Sequence, residues 1–213
     1  MDLQKFSEKV QKNLAHRKLE LSRLLMLTHS AHPDKTQEFL LCRTAIVFSY
    51  AHWEGFIKGA SQLYIKYINA QQVPVSTLKS CLQAAHVYSH LSKAGNSAKM
   101  SFLGELLEKI DLDRKAIFSA NPEKCIDTES NLSSGVFRSL VLGIGLNYID
   151  AYSTRQAFID EKLVFSRNQV VHGEMIPFEK VDAWERLDSV RLLIDMYADQ
   201  LLDAARDAAY LSK

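Results

Sequence analysis

The stretch from Thr36 to Asn69 constrains the fold most, because it contains no proline and no glycine before Gly55. Glycine and proline are the residues that most disfavour a helix interior, so such a stretch is typical of one long helix. The rest of the chain follows the same trend, with only 8 glycines and 4 prolines among 213 residues. Long helices are therefore expected to dominate the fold.

Apolar residues recur at three- and four-residue steps in several other parts of the chain. This spacing predicts amphipathic helices. The predicted helices run from Leu3 to about His29, from Ser76 to about Leu91, from Ser97 to Ile110, from Val136 to Leu146, from a capping Thr154 to His172, and from about Glu179 to Leu211, with a turn at Ala31 to Asp34 and a loop over Ser119 to Ser134. The alternating pattern of strands is absent. We therefore expect an all-α bundle of long antiparallel helices, with residues 1–213 forming one domain.

The net charge of +1 excludes a protein that coats nucleic acid through bulk charge. Charge is uneven along the chain, however, since the segment from Glu174 onward carries nine acidic residues and five basic ones. Three basic residues, Lys5, Lys9 and Lys12, stand on the polar side of the first predicted helix. They are weak candidates for binding RNA phosphates, and a solvated helix face is the alternative interpretation.

The start of the chain is charged from its second residue and lacks the apolar stretch of a secretion signal. No segment approaches the roughly 18 apolar residues that are needed to span a bilayer. The three cysteines, Cys42, Cys81 and Cys125, lie far apart and are expected to be free thiols. These features predict a cytoplasmic protein without a membrane segment.

Neither a metal ion nor another cofactor is expected. His86 and His90 lie four residues apart, and His29 and His32 lie three apart. Neither pair has a third potential ligand at a spacing typical of a metal site. The Gly-Ile-Gly sequence at Gly143 follows no predicted strand, so it does not form a phosphate-binding loop of the dinucleotide type.

The segment from Phe165 to Glu174, FSRNQVVHGE, carries the residues best suited to chemistry. On an ideal helix Asn168 and His172 are one turn apart and share a face, whereas Arg167 lies about 140° round from His172. Gly173 follows the histidine, where a left-handed C-terminal cap is expected. One helix alone does not readily direct Arg167 and His172 at the same phosphate. Two such helices that meet across a two-fold axis would bring the two side chains to it more easily.

An arginine and a histidine in this arrangement suit RNA cleavage. The guanidinium of Arg167 can grip a phosphate through two parallel hydrogen bonds, and the imidazole of His172 can move a proton near neutral pH. In such a reaction the ribose 2′-OH attacks the neighbouring phosphate, and the leaving 5′-oxygen takes up a proton. No metal ion is required for either step.

The Arg-x4-His pattern, with Asn168 directly after the arginine and the tail Val-Val-His-Gly-Glu, resembles the signature of the HEPN superfamily. Three further segments resemble the RiboL-PSP and MAE-like branch of that superfamily. They are Tyr50 to Lys58 (YAHWEGFIK), Ser130 to Leu132 (SNL) and Ile159 to Leu163 (IDEKL). The resemblance spans roughly residues 40 to 210, which is most of the chain.

This resemblance implies a homodimer whose two Arg-x4-His helices form one composite ribonuclease site, in a protein linked to toxin–antitoxin or antiphage functions. Arg167 would bind and polarise the phosphate, Asn168 would orient it or hold His172, and His172 would act as acid or base. Glu54, together with His52 and Glu174, is a candidate supporting residue. The partners implied are RNA, a second copy of the chain and a cognate neutralising protein.

Two readings without catalysis remain open. Asn168 and His172 could hydrogen-bond each other near a buried helix end, since buried polar groups need partners. The chain could also be an inactive helical module that binds a partner protein. In superfamily members that pair with nucleotidyltransferases, a tyrosine follows two residues after the histidine. Here that position is Glu174, which argues against such a pairing.

Overall fold

The fold is a bundle of helices built around three long ones. A computed structural model describes residues 1–30, 34–91, 100–175 and 179–212. Its helices are α1 (Leu3–His29), α2 (Lys35–Ala70), α3 (Ser80–Leu91), α4 (Met100–Asp113), α5 (Pro122–Cys125), α6 (Ser134–Gly143), α7 (Asp150–Ser153), α8 (Ser166–Val171) and α9 (Lys180–Arg206), with a 3₁₀ turn at Val75–Thr77 and a π-helical segment at Phe158–Phe165.

The long helices α1, α2 and α9 pack directly against one another. The ring of His29 on α1 stacks on Trp184 of α9 at 3.9 Å between centroids. Lys18 pairs with Asp195, with 2.7 Å between Nζ and Oδ2. Lys18 lies eleven residues before His29 on α1, whereas Asp195 lies eleven residues after Trp184 on α9. The two helices are therefore antiparallel.

Polar side chains fix where the long helices begin. Asp2 accepts a hydrogen bond from the backbone N–H of Lys5 at the start of α1, and Asp34 accepts one from Thr36 at the start of α2. Each carboxylate satisfies a donor that has no partner inside its helix and complements the positive helix end. At the start of α9, the side chains of Glu179 and Asp182 form a reciprocal capping box.

The short helix α6 lies at the centre of the aromatic core. Its Phe137 is fully buried, and the ring packs edge to face on Trp53 of α2, Tyr152 of α7 and Tyr197 of α9, with centroids 4.8 to 5.7 Å apart. Aromatic pairs in this geometry stabilise a core beyond the area that they bury. The predicted helix from Val136 to Leu146 is confirmed, although it spans Ser134–Gly143.

The predicted all-α class is confirmed, because the described part of the chain forms no strand and contains only two isolated bridges. The second helix matches its predicted span to within a residue at each end. Within the described ranges, none of the helices has an apolar stretch long enough to cross a bilayer. The predicted turn at residues 31–33 and the predicted helix start at Ser97 lie outside the described residues.

Several predicted boundaries are wrong. Thr154 does not begin the helix that leads to His172 but ends α7, where its hydroxyl donates back to the carbonyl of Asp150. The chain then continues through the π-helical segment into α8. The last helix ends at Arg206, because a left-handed residue, Ala208, turns the chain so that Leu211 bridges to Leu78.

Candidate functional site

Arg167 of α8 is held against α2 and the loop before α6. Its Nη2 donates to the Ser130 carbonyl at 3.1 Å and to Asn131 Oδ1 at 2.8 Å. The guanidinium carbon lies 4.1 Å from the centroid of the Tyr50 ring. The Arg-x4-His motif, the start of the Tyr50 to Lys58 segment and the Ser130 to Leu132 segment therefore meet at Arg167. All three resemble the family.

The loop that holds Arg167 is itself fixed by α2. The backbone N–H of Leu132 donates to the Tyr50 hydroxyl at 2.8 Å, and the indole N–H of Trp53 donates to the Leu132 carbonyl at 3.2 Å. Glu129 and Ser130 have φ angles of 52° and 59°, in the left-handed region that residues with a side chain seldom adopt. Such backbone persists where neighbouring contacts over-determine it, as they do here.

The π-helical segment fixes the other end of the same loop. Asp160 accepts hydrogen bonds from the backbone N–H and the hydroxyl of Ser134, at 2.7 and 2.6 Å. Ser134 is the first residue of α6. A carboxylate at this position satisfies a free donor and complements the positive helix end. The Ile159 to Leu163 segment thus helps to position the loop that binds Arg167.

Arg186 of α9 is the buried cation behind the motif, with 2% of its surface exposed. Its Nε donates to the Lys162 carbonyl at 2.9 Å, and Nη2 lies 3.3 Å from the Ser166 hydroxyl. Burial lowers the pKa of Arg186, and the nearby Asp182 opposes that shift. Arg186 was not expected in this role. The available signal was its place on the apolar face of α9, one turn from Val190.

His172 follows the last residue of α8 and is exposed. The N–H of Gly173 donates to the Val170 carbonyl, and that of Glu174 donates to the Gln169 carbonyl. With Gly173 at a φ of 80°, these two bonds form a Schellman cap. The predicted glycine cap is confirmed, and His172 is the residue at the helix end rather than one inside it.

Asn168 and His172 do not form the buried pair considered above. Asn168 is half-buried, His172 is exposed, and among the described residues no hydrogen bond joins their side chains. The backbone N–H of His172 donates to the Asn168 carbonyl at 2.9 Å, as expected for residues one turn apart. The imidazole is therefore open to a substrate or to a partner chain.

Arg43 of α2 binds the C-terminal end of α8. Its Nη1 donates to the Glu174 carbonyl at 2.6 Å, and its Nη2 donates to the Val170 carbonyl at 3.2 Å. A cation here complements the negative end of α8, and it shares the Val170 carbonyl with the N–H of Gly173. Arg43 was not expected at the site, and no local motif marks it, because its partners lie more than 120 residues away. The Glu174 carboxylate accepts a long hydrogen bond, 3.3 Å, from Gln169.

His52 and Glu54 lie on different sides of α2. His52, a candidate supporting residue, is 6% exposed and faces α1. There its Nδ1 lies 3.5 Å from Arg17 Nη1, and its Nε2 lies 3.5 Å from Glu20 Oε2. Glu54 is half-buried and lies one turn beyond Tyr50. Burial raises the pKa of Tyr50, and the Glu54 charge adds to that shift.

Lys5, Lys9 and Lys12 are exposed but lie far from the motif. They belong to the first half of α1, which packs on the C-terminal half of α2, as the stacking of Phe6 on Tyr67 shows. Tyr50, which Arg167 contacts, is 17 residues from Tyr67 along α2, or about 26 Å at 1.5 Å per residue. The structure does not bring these lysines to the Arg167 site.

In the described ranges, no group of three His, Cys, Asp or Glu side chains is placed to share a metal ion. His86 uses Nδ1 to accept a hydrogen bond from the backbone N–H of Ser119. The side chains of His90 and His32, the other members of the two histidine pairs, lie outside the described residues. The three cysteines are free, and burial raises the pKa of each thiol.

A comparison with models of protein families matches residues 12–203 to the family described as RiboL-PSP-HEPN. The match covers α1 through most of α9 and so includes every residue that surrounds Arg167. No curated protein and no solved structure matches the chain.

Proposed function

Because this chain belongs to the RiboL-PSP-HEPN family, we propose that it is an endoribonuclease that cleaves RNA without a metal ion through Arg167, Asn168 and His172. The observation that carries the proposal is the fixed guanidinium of Arg167 on α8, together with the exposed His172 at the end of the same short helix. The family match extends over these residues but does not by itself assign a reaction.

The chemistry follows from the groups available. The 2′-oxygen forms a bond to phosphorus, the bond from phosphorus to the 5′-oxygen breaks, and a proton moves from the 2′-OH while another reaches the leaving oxygen. Arg167 stabilises the charge that develops on the phosphoryl oxygens, and His172 transfers a proton. The products are a 2′,3′-cyclic phosphate and a 5′-hydroxyl, and a water molecule can then open the cyclic phosphate to a 3′-phosphate.

A two-fold homodimer would complete the site. The guanidinium of Arg167 is directed onto Tyr50 and the loop, whereas His172 is exposed at the helix end. Phe165 lies seven residues before His172, which places the two on one helical face, and Phe165 is 58% exposed. A large exposed apolar side chain on that face supports contact with a second copy.

Light scattering at micromolar concentration tests the dimer. We expect the wild-type protein to have twice the mass of the chain and Phe165→Glu to be monomeric. Leu112→Glu is the matched control, because Leu112 is also exposed, at 78%, but lies on α4. A wild-type monomer, or a Phe165→Glu protein that remains dimeric, would contradict the proposed assembly.

The reaction is tested with RNA and its 2′-deoxy counterpart in EDTA. We expect the RNA to be cleaved with a 5′-hydroxyl on the downstream fragment, and the DNA to remain intact, because only RNA supplies the 2′-OH nucleophile. Loss of cleavage on adding EDTA, or 5′-phosphate ends, would contradict the mechanism.

One observation favours a second candidate, a helical module without catalysis. Arg167 Nη2 is fully used by Ser130 and Asn131, and a purely structural arginine would show the same contacts. Under this alternative, substitution of Arg167 would lower stability, and no variant would affect RNA because the wild-type protein would not cleave it.

A further inference from the structure

We infer that Asn131 is a positioning residue of the proposed active site, orienting Arg167 so that Nη1 faces the scissile phosphate; this inference rests on the proposed function. The Asn131 side-chain oxygen lies 2.8 Å from Arg167 Nη2, in the shorter of the two hydrogen bonds that fix the guanidinium plane. Asn131 has no part in the chemistry itself, because an amide neither gains nor loses a proton near neutral pH.

The geometry leaves one nitrogen of Arg167 for a substrate. Nε is buried and, among the described residues, has no hydrogen-bond partner. Nη2 donates to Ser130 and Asn131, and the guanidinium carbon lies 4.1 Å from the centroid of the Tyr50 ring. Nη1 is therefore the nitrogen that the structure assigns to a phosphoryl oxygen, and its direction depends on how firmly Nη2 is held.

The loop is built to hold its position without the Asn131 amide. Leu132 bonds to Tyr50 and Trp53, and Ser134 bonds to Asp160, so the backbone on the C-terminal side of Asn131 is fixed independently. Asn131 itself is exposed. Removing an exposed amide usually changes stability little. Its effect on Arg167 can thus be separated from an effect on the fold.

The backbone on the other side also points to a role at the site. Glu129 and Ser130 are both left-handed, a conformation that residues with a side chain seldom adopt. In this conformation the Ser130 carbonyl accepts a hydrogen bond from Arg167 Nη2. Strained residues of this kind cluster where a protein positions groups for function.

The test is steady-state cleavage of a defined RNA by Asn131→Ala and Asn131→Asp. We expect Asn131→Ala to lower kcat by about 10- to 100-fold, the scale set by misplacing a group that acts on the transition state, with KM and the melting temperature little changed. Asn131→Asp keeps an oxygen at the same place and should recover most of kcat. Asn121→Ala is the matched control, because Asn121 is also an exposed asparagine but caps α5 instead of bonding to Arg167.

A second measurement reports directly whether the guanidinium of Arg167 is held by its hydrogen bonds. In ¹⁵N NMR spectra, the Nη signals of Arg167 should be separate in the wild-type protein, because the hydrogen bonds slow rotation of the guanidinium. They should merge in Asn131→Ala and stay separate in Asn131→Asp.

The outcomes separate the two claims. Wild-type cleavage with an unchanged or raised kcat in Asn131→Ala would overturn the positioning role and leave the proposed function standing. Unchanged Nη signals in Asn131→Ala would also overturn the positioning role. A wild-type protein that cleaves no RNA would overturn both.

Discussion

Arg167 lies over the ring of Tyr50, with 4.1 Å between the guanidinium carbon and the ring centroid. The negative face of the ring attracts the cation. Nη2 of the same guanidinium donates to the Ser130 carbonyl and to Asn131 Oδ1 in the loop before α6. The contact therefore joins the long helix α2 to α8 and to this loop.

Arg167→Lys should lower RNA cleavage by about 10- to 100-fold, since a hydrogen bond to a charged group is worth about 1.5–3 kcal/mol. An ammonium cannot lie flat on Tyr50, bond to Asn131 and contact a phosphate at once. The measurement is the initial rate of cleavage of a defined RNA, with the melting temperature as a control for folding. A lysine variant as active as the wild type would show that the planar geometry is not used.

Gly173→Ala should destabilise the protein by about 1–2 kcal/mol, the cost of placing a residue with a side chain in the left-handed region. The φ of Gly173 is 80°, and an added methyl group would meet no atom within 4 Å, so the effect comes from the backbone alone. Gly143→Ala is the control, because Gly143 ends α6, also has open space, and has no left-handed φ. Urea unfolding checks this, and equal effects for both variants would contradict it.

Arg186→Met should destabilise the protein by about 1–3 kcal/mol, because it leaves the Lys162 carbonyl without its donor, Nε of the buried Arg186 side chain. Methionine keeps much of the apolar stem, so the loss reports mainly on the hydrogen bonds. Arg206→Met is the matched control on the same helix, where an exposed arginine pairs with Asp203, and should leave the urea midpoint unchanged. If Arg186→Met were as stable as this control, the buried cation would not stabilise the π-helical segment.

Stability should fall as the pH is lowered through 6.5. Burial lowers the pKa of His52 below its ordinary value of 6.5, the charges of Arg17 and His16 add to the shift, and Glu20 opposes it. Between the folded and unfolded pKa values, the unfolded chain binds a proton that the folded chain does not, so the free energy of unfolding decreases toward acid pH. His52→Gln should show a smaller decrease between pH 7.5 and 5.5 in urea titrations. Parallel pH curves for the two proteins would rule this out.

The sequence predicts well what depends on local periodicity and on end signals. The span of α2 follows from a proline-free apolar pattern, and the cap at Gly173 follows from a glycine after the last helical residue. Thr154 shows the limit of such signals, because the same residue type can begin a helix or, as here, donate back to a carbonyl at the end of one. Local chemistry alone does not decide between the two.

The surroundings of Arg167 were less predictable for a different reason. Asn131 and Arg167 are 36 residues apart, and Arg43 binds carbonyls 127 and 131 residues away. Such contacts depend on how α2, α8 and the loop pack, which periodicity does not specify. The resemblance to a family identified the segments around Tyr50 and Asn131, and the structure shows what they hold.

The role of His172 as the proton-transferring group is the central claim, and cleavage of a defined RNA in EDTA by wild type and His172→Ala tests it most directly. General acid–base help contributes about 10²- to 10⁴-fold. The substitution should therefore lower the rate at least about 100-fold, while the melting temperature stays near that of the wild type because the exposed imidazole supports no packing. A His172→Ala protein that cleaves RNA at the wild-type rate would contradict the account.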